Sequence, residues 1–232
     1  MLTIIIVFII VLYFLSGMYK GLIWNLSVLA SSLISCVLAL LLMFPLSALF
    51  RSNETIYNSM LSYTEGAESI YDVELRKVNI SELTDEELED VMNKSNLVFP
   101  FKDRVYKNII NERFENVGIS TLGDYFNESM VRVMINIMSF LIIYLVLRIV
   151  STYIMSWLDY SFKFPVLIKY DWIAGAAIGL IRGFFGIAVI FTIMPIVLTV
   201  LNFDAVREMV ETNAIASFFH NKNLILMIIP GV

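Results

Sequence analysis

Long runs of apolar residues, separated by polar sequence, constrain this chain more than any other feature. They collect in three zones, at residues 2–50, 131–158 and 172–201. About 20 predominantly apolar residues cross the hydrocarbon core of a bilayer as one helix. Charged residues make up only 16% of the 232-residue chain, whereas about a quarter of a soluble domain is charged. The sequence therefore predicts an all-α integral membrane protein.

The first zone is long enough for two spans, so we predict four transmembrane helices. Residues 2–17 carry no charge, MYKG at 18–21 forms a hinge, and residues 22–50 are apolar again. A secretory signal peptide is the alternative for residues 1–17, but the charged n-region and the small-residue cleavage site are missing. The third and fourth spans complete a region at 131–201.

Lys and Arg in short loops predict the orientation of membrane spans. Lys20 lies in the hinge, and Lys163 and Lys169 lie in the loop at 159–171 between the third and fourth spans. A four-span arrangement places these two loops on the same side of the membrane, so we expect both to be cytoplasmic. Both termini and residues 51–130 are then extracytoplasmic.

Residues 51–130 are predicted to form an acidic, α-helical insert. The segment holds 16 Asp/Glu and eight Lys/Arg, a net charge of −8. TDEELEDVM at 84–92 has the T-x-x-E form of a capping box, and apolar spacing predicts a second helix over 101–117. Gly118 is expected to end that helix, and Gly123 to mark the turn into the third span. We interpret the acidic residues as a solvated face, because EELED lacks the ligand spacing of a calcium loop.

Small residues recur every four positions in the fourth span and again in the second. In lipid, small residues favour helix association because they let two backbones approach closely. We therefore predict that the second and fourth spans pack along these two stripes. The fourth-span stripe is Gly175, Gly179, Gly183 and Gly186, and the second-span stripe is Ser27, Ser31 and Ser35.

Two charged residues stand in the fourth span. Asp171 lies in its first turn, where a carboxylate complements the dipole of its own helix. Arg182 lies on the glycine face, roughly 15 Å into the span, where a charge costs about 2.5–3.5 kcal/mol on insertion scales. Arg182 either bonds inside the bundle, with Asn25, the second-span serines, Asn136 or helix carbonyls as candidate partners, or snorkels to the cytoplasmic interface.

The sequence offers no constellation for catalysis or metal binding. Cys36 and His220 are each the single residue of their kind, and no G-x-S-x-G, H-E-x-x-H or P-loop motif is present. We expect no enzyme activity, no cofactor, no metal site and no nucleic-acid partner. His220 is predicted to lie at the surface or at the membrane interface. It belongs to an amphipathic C-terminal segment at 202–232 whose first part, 203–223, is predicted to form one helix along the outer interface.

Two stretches resemble the colicin V production protein (CvpA) family of bacterial inner-membrane proteins. GMYKG resembles the family's glycine, basic residue and glycine between the first two spans, although arginine is common there where lysine stands in this chain. DWIAGAAIGLIRG resembles the family's fourth-span signature. The resemblance covers about residues 1–50 and 131–200 and leaves out the insert. The matching residues are Gly17, Lys20, Gly21, Asp171, Gly175, Gly179, Arg182 and Gly183.

This resemblance implies a non-enzymatic protein of the bacterial inner membrane that acts in colicin V-like toxin production or export, or in cell-envelope homeostasis. The predicted partners are the lipid bilayer, an extracytoplasmic protein that binds residues 51–130, and further copies of the chain in a homo-oligomer. The alternative is a small oligomeric channel or transporter in which Arg182 attracts an anion.

Overall fold

The computed structural model describes residues 2–162, 170–201 and 204–232. It confirms the all-α prediction: 83% of the chain is helical, and the described residues contain no strand. Three helical stretches are long and apolar enough to cross a membrane, namely Leu2–Ser52, Leu122–Ser161 and Asp171–Val200, the last of which has a turn at residues 192 and 193. Lys163 and Lys169, which supported the predicted orientation, lie outside the described residues.

The α-helices of the described chain are numbered here in sequence order. They are α1 (Leu2–Ser52), α2 (Glu54–Thr64), α3 (Asp85–Lys94), α4 (Phe101–Ile110), α5 (Leu122–Phe162), α6 (Asp171–Phe191), α7 (Met194–Val200), α8 (Asp204–Glu211), α9 (Ala214–Asn221) and α10 (Leu224–Ile228).

Helix α1 consists of two helical segments that meet at Gly21. The φ of 76° and ψ of 177° at Gly21 are not helical, and the break falls within the predicted hinge at 18–21. A straight helix of 51 residues would be about 75 Å long, more than twice the thickness of a hydrocarbon core. We name residues 2–20 the first segment of α1 and residues 22–52 the second segment.

The described helices form two compact units, each with its own core. The boundaries differ from those predicted at residues 50, 130 and 201, because α1 and α5 contribute residues to both units. Gly123 does not mark a turn, since α5 already begins at Leu122. Unit 1 consists of Met1–Met43, Phe140–Thr192 and Glu208–Asn223, and unit 2 consists of Phe44–Ser139, Ile193–Arg207 and Leu224–Val232.

In unit 1, helix α9 packs against α6 through an aromatic contact. The ring of Phe219 lies 5.9 Å from that of Phe184 and 5.8 Å from that of Phe191, measured between centroids. The single helix predicted over 203–223 is wrong, because the chain breaks after α8 and the side chain of Asn213 accepts the first N–H groups of α9. The amide of Asn223 then donates to the carbonyl of Ala188, at 2.8 Å.

The predicted surface position of His220 is also wrong, since its side chain is only 5% exposed. Burial lowers the pKa of His220 to about 4, because desolvation disfavours the imidazolium ion. Above pH 6.5 the imidazole is neutral whether the protein is folded or unfolded. Between pH 6.5 and 4 only the unfolded chain binds the proton, so the folded state loses stability as the pH falls.

We therefore expect acidification from pH 7 to pH 4 to remove about 3 kcal/mol of stability through His220 alone. Unfolding in detergent, followed by circular dichroism across this pH range, measures the loss. The variant His220→Gln should have a shallower pH dependence than the wild type. Identical pH profiles for the two proteins would contradict this assignment.

In unit 2, the capping box predicted at 84–92 is confirmed. The Thr84 hydroxyl accepts the amide N–H of Glu87 at 3.3 Å, and the Glu87 carboxylate accepts the Thr84 N–H at 2.9 Å. Helix α3 buries Leu88, Val91 and Met92, the face that the spacing predicted. Helix α4 is shorter than the predicted 101–117, and Gly118, in the left-handed conformation, ends a short 3-10 turn instead.

The last residues of the chain are held within unit 2 by polar side chains. Arg104 donates to the carbonyl of Met227 at 2.5 Å, and Asn108 donates to that of Gly231 at 2.9 Å. Asn136 donates to the carbonyl of Pro230 at 3.0 Å and accepts from Ser47 at 2.5 Å. Asn136 is therefore not the partner of Arg182 that the sequence suggested. The segment 202–232 likewise contributes buried residues rather than only an interfacial surface.

Candidate functional site

The two stretches that carry the family resemblance meet in unit 1 at the break in α1. Gly21 adopts a conformation, with positive φ and ψ near 180°, that is essentially restricted to glycine. The break leaves the N–H of Leu22 without a helical acceptor, as at the start of any helix. The carboxylate of Asp171 accepts that N–H at 3.1 Å. The second segment of α1 is thus capped by a residue 149 positions away.

Asp171 is held in this position by close packing. It is the first residue of α6, its residue exposure is 9%, and a methyl group added at Gly21 would collide with its carboxylate. The expectation that Asp171 complements only its own helix was incomplete, because its hydrogen bond goes to the start of the neighbouring helical segment. A negative charge is stabilised beside helix N-termini, and both α6 and the second segment of α1 begin here.

Asn25 provides hydrogen bonds to carbonyl groups on the N-terminal side of the break. Its amide donates to the carbonyls of Gly17 and Gly21, at 3.1 and 2.6 Å, and the residue is fully buried. These two bonds use both N–H groups of the amide and turn its oxygen away from α1. That oxygen accepts a hydrogen bond from the guanidinium of Arg182.

The glycine face of α6 packs against the first segment of α1. A Cβ atom at Gly179 would lie 2.5 Å from the carbonyl oxygen of Tyr13 and 3.0 Å from the Cα atom of Gly17, and one at Gly175 would overlap the carbonyl oxygen of Gly17. At Gly183 and Gly186 the nearest contacts are with Tyr13 and, for Gly183, also with Ile10. Backbone atoms of α1 therefore come too close for a side chain at Gly175 and Gly179, whereas at Gly183 the nearest backbone atom, the Cα of Ile10, is 3.5 Å away.

The prediction that Ser27, Ser31 and Ser35 supply the partner surface is wrong. None of these serines is among the atoms nearest to the four glycines. Ser35 donates to the carbonyl of Ser31 in its own helix at 2.9 Å. The serine that reaches another helix is Ser32, whose hydroxyl lies 2.9 Å from that of Tyr144 in α5.

The sequence left two interpretations of Arg182 open, a bond inside the bundle and snorkelling toward the interface, and the observed side chain has features of both. It bonds to Asn25, a candidate internal partner, and its guanidinium carbon lies 5.5 Å from the ring centroid of Tyr13. Side chains on a helix tilt toward its N-terminus, so Arg182 reaches back along α6 toward the break. A cavity beside it is lined by Tyr13, Tyr144 and Arg148 among others.

Among the eight residues that carry the resemblance, Lys20 is the exposed one. Its ammonium lies 5.1 Å from the ring centroid of Trp24. Sequence reasoning missed Tyr13 and Arg148 as members of the site. The sequence did contain a pattern that indicates Tyr13. Tyr13, Gly17 and Gly21 recur every four residues, which is the spacing of the glycines in α6.

The site offers packing, capping and one positively charged cavity. Within the described residues, no group of three His, Cys, Asp or Glu side chains could hold a metal ion. Cys36 is buried. Comparison of the chain with protein-family profiles, with curated proteins and with solved structures gave no match.

Proposed function

We propose that this chain is a four-span protein of the bacterial inner membrane that acts by binding rather than catalysis, in toxin export or envelope maintenance. The observation that carries the proposal is the meeting of residues 17–21 with residues 171–183. These are the two stretches that resemble the CvpA family, and they share the Asp171–Leu22 hydrogen bond and the glycine contact. Residues so far apart in sequence form one cluster.

The lengths of the helical segments support four crossings. The first segment of α1 has 19 residues and is about 29 Å long, close to the thickness of a hydrocarbon core. Lys20 and Trp24 stand beside the break, and Trp172, which is 54% exposed, follows Asp171. Lys and Trp are enriched at membrane interfaces, so we place the break at the cytoplasmic surface. The termini and the insert are then extracytoplasmic.

Labelling of engineered cysteines tests this topology. In a Cys36→Ala background, we expect a membrane-impermeant maleimide added to intact spheroplasts to label Glu89→Cys in α3. The same reagent should label Lys20→Cys and Ser161→Cys only after lysis. All three positions are exposed, so accessibility depends on the side of the membrane. Labelling of position 20 from outside would reverse the orientation.

The surface of the insert supports the binding role. Tyr71 and Val73, half exposed at 50% and 56%, stand in a stretch at 65–90 that holds ten carboxylates and two basic residues. The ammonium of Lys94 also lies 5.0 Å from the ring centroid of Tyr71. A partner with a basic surface and an apolar contact complements this chemistry. The exposed carboxylates between residues 65 and 90 are Glu65, Glu68, Asp72, Glu74, Glu82, Asp85, Glu86, Glu87, Glu89 and Asp90.

Photocrosslinking in cells tests the partner. A photoreactive amino acid at Tyr71 should capture one extracytoplasmic protein, whereas the same group at Tyr160, 87% exposed in α5, should not. Replacement of Glu86, Glu87 and Glu89 by Gln should reduce the adduct at position 71. Capture of no specific protein at position 71 would contradict the proposed binding role.

A second candidate function, a small anion channel or transporter, is favoured by the cavity that Arg148 and Arg182 share. Chloride flux from reconstituted vesicles tests it. We expect Arg182→Ala to abolish the flux and Arg182→Lys, which keeps the charge, to retain part of it. Absence of flux with the wild-type protein would remove this candidate.

A further inference from the structure

A small cavity in unit 1, which we name the arginine cavity, brings two cationic side chains together. Its polar lining consists of Tyr13, Ser32, Tyr144, Arg148 and Arg182. The space open to the centre of a water-sized sphere is about 40 Å³. A cavity that holds one water needs about 10–15 Å³ of volume occupied by such a sphere, so this cavity accommodates a few waters or one small ion.

The two arginines stand at matching depths in their helices. Arg148 precedes Asp159 by eleven residues, and Arg182 follows Asp171 by eleven, which is about 16 Å of helix rise in each case. Asp159 and Asp171 bound the short connection between the two spans. In the four-span arrangement proposed above, on which this inference rests, the backbones of the two arginines therefore lie near the middle of the bilayer, and the Arg182 side chain extends from there toward the break.

The positive charge of the arginine cavity has no acidic counterpart in the part of the chain that the structure describes. No carboxylate is among the residues that line it. Arg182 donates to the neutral amide of Asn25, and Arg148 donates to the hydroxyl of Ser151 at 3.3 Å. The nearest acidic residue along α6, Asp171, is engaged by the N–H of Leu22. Two like charges away from water destabilise each other unless an anion offsets them.

The hydroxyl groups add a hydrogen-bond donor. The hydroxyls of Ser32 and Tyr144 lie 2.9 Å apart and share one hydrogen bond. Two hydroxyls carry two protons, and that bond uses one of them, so the second remains for a ligand in the cavity. A lining of guanidinium and hydroxyl donors without a carboxylate is typical of an anion-binding site.

We propose that the arginine cavity binds a small monovalent inorganic anion of the halide class between Arg148 and Arg182. The volume suits one small ion and is too small for a phospholipid headgroup. The anion offsets the paired charges, and the Ser32–Tyr144 hydroxyl pair donates to it. The site explains how two cations are tolerated at this depth.

The thermal stability of the full-length protein in detergent tests the site, with chloride as the probe. Sodium chloride replaces sodium gluconate at constant ionic strength, because gluconate is too large for the cavity. We expect chloride to raise the Tm of the wild type saturably, by roughly 3–6 °C at ten times the half-saturating concentration. Arg148→Gln and Arg182→Gln should remove this response, whereas Lys20→Gln, which removes an exposed charge of the same unit, should retain it.

Two further comparisons separate binding from a purely structural role. In gluconate, Arg148→Gln should raise the Tm above that of the wild type, because it removes an uncompensated charge, whereas loss of a structural arginine lowers the Tm in both salts. The double variant Ser32→Ala/Tyr144→Phe, which removes both hydroxyls and therefore the remaining donor, should raise the half-saturating chloride concentration about tenfold.

Each outcome decides the inference. Equal Tm values for the wild type in chloride and gluconate would overturn it, as would an unchanged chloride response in both arginine variants. A chloride response without flux from vesicles supports the site and removes only the channel function. Reversed labelling at position 20 changes the orientation but leaves the arginine cavity at the same depth.

Discussion

Replacing Gly21 by alanine is expected to lower the free energy of unfolding by about 4 kcal/mol. The φ of 76° with ψ of 177° strains any residue with a Cβ atom. The new methyl group would also overlap the carboxylate of Asp171. If that carboxylate moves away, the N–H of Leu22 loses its acceptor. Titration of the purified protein with SDS in mixed micelles measures the loss.

Gly118 provides the matched control. It is the other glycine of the described chain with positive φ, at 79°, and no atom lies within 4 Å of the position that its Cβ would take. Gly118→Ala should therefore cost only about 1 kcal/mol. In an Asp171→Ala background, Gly21→Ala should cost at least 1 kcal/mol less than in the wild type, because the overlap is gone. Full additivity would contradict the proposed contact between Gly21 and Asp171.

Replacing Gly179 by alanine is expected to cost about 3 kcal/mol. The added Cβ would lie 2.5 Å from the carbonyl oxygen of Tyr13 and 3.0 Å from the Cα atom of Gly17. Both are backbone atoms, which cannot rotate away, so α6 and the first segment of α1 must separate. The same SDS titration measures this loss.

Gly186 serves as the control on the same face of α6. A Cβ there would meet the Tyr13 hydroxyl at 3.2 Å, and a ring tip can shift by the small distance required. Alanine also has a higher helix propensity than glycine, so Gly186→Ala should change stability by less than 1 kcal/mol. Equal losses at Gly179 and Gly186 would indicate that the glycine face is not in backbone contact with α1.

Apolar periodicity and local capping rules were enough to predict the helical class and the fold of α3. The long apolar runs do form helices, although α1 contains Gly21 and Pro45 and α6 contains four glycines. The Thr84–Glu87 box formed as predicted, since its hydrogen bonds join residues three positions apart. Local sequence therefore contains most of the information for elements that depend on local contacts.

The partner of the glycine face could not be chosen from the sequence. A four-residue repeat identifies the helix face that carries small residues, but it does not identify the helix that packs against that face. Both Ser27–Ser31–Ser35 and Tyr13–Gly17–Gly21 have the right period. The second set supplies the contact because glycine lets two backbones approach more closely than serine does.

Hydropathy also failed to separate burial in protein from exposure to lipid or water. The tail residues Ile225, Leu226 and Ile229 are buried inside unit 2, although the run they belong to is too short to span a membrane. Asn136 is buried with them because it bonds to carbonyl groups of that tail. Such long-range pairings leave no periodic signal in either partner.

The most direct test of the central claim is a disulfide between the first segment of α1 and α6. A Cβ at Gly183 lies 3.5 Å from the Cα atom of Ile10, within reach of disulfide geometry. In a Cys36→Ala background, oxidation should crosslink Ile10→Cys to Gly183→Cys within one chain and leave Ser31→Cys with Gly183→Cys unlinked. Crosslinking of the Ser31 pair instead would contradict the account.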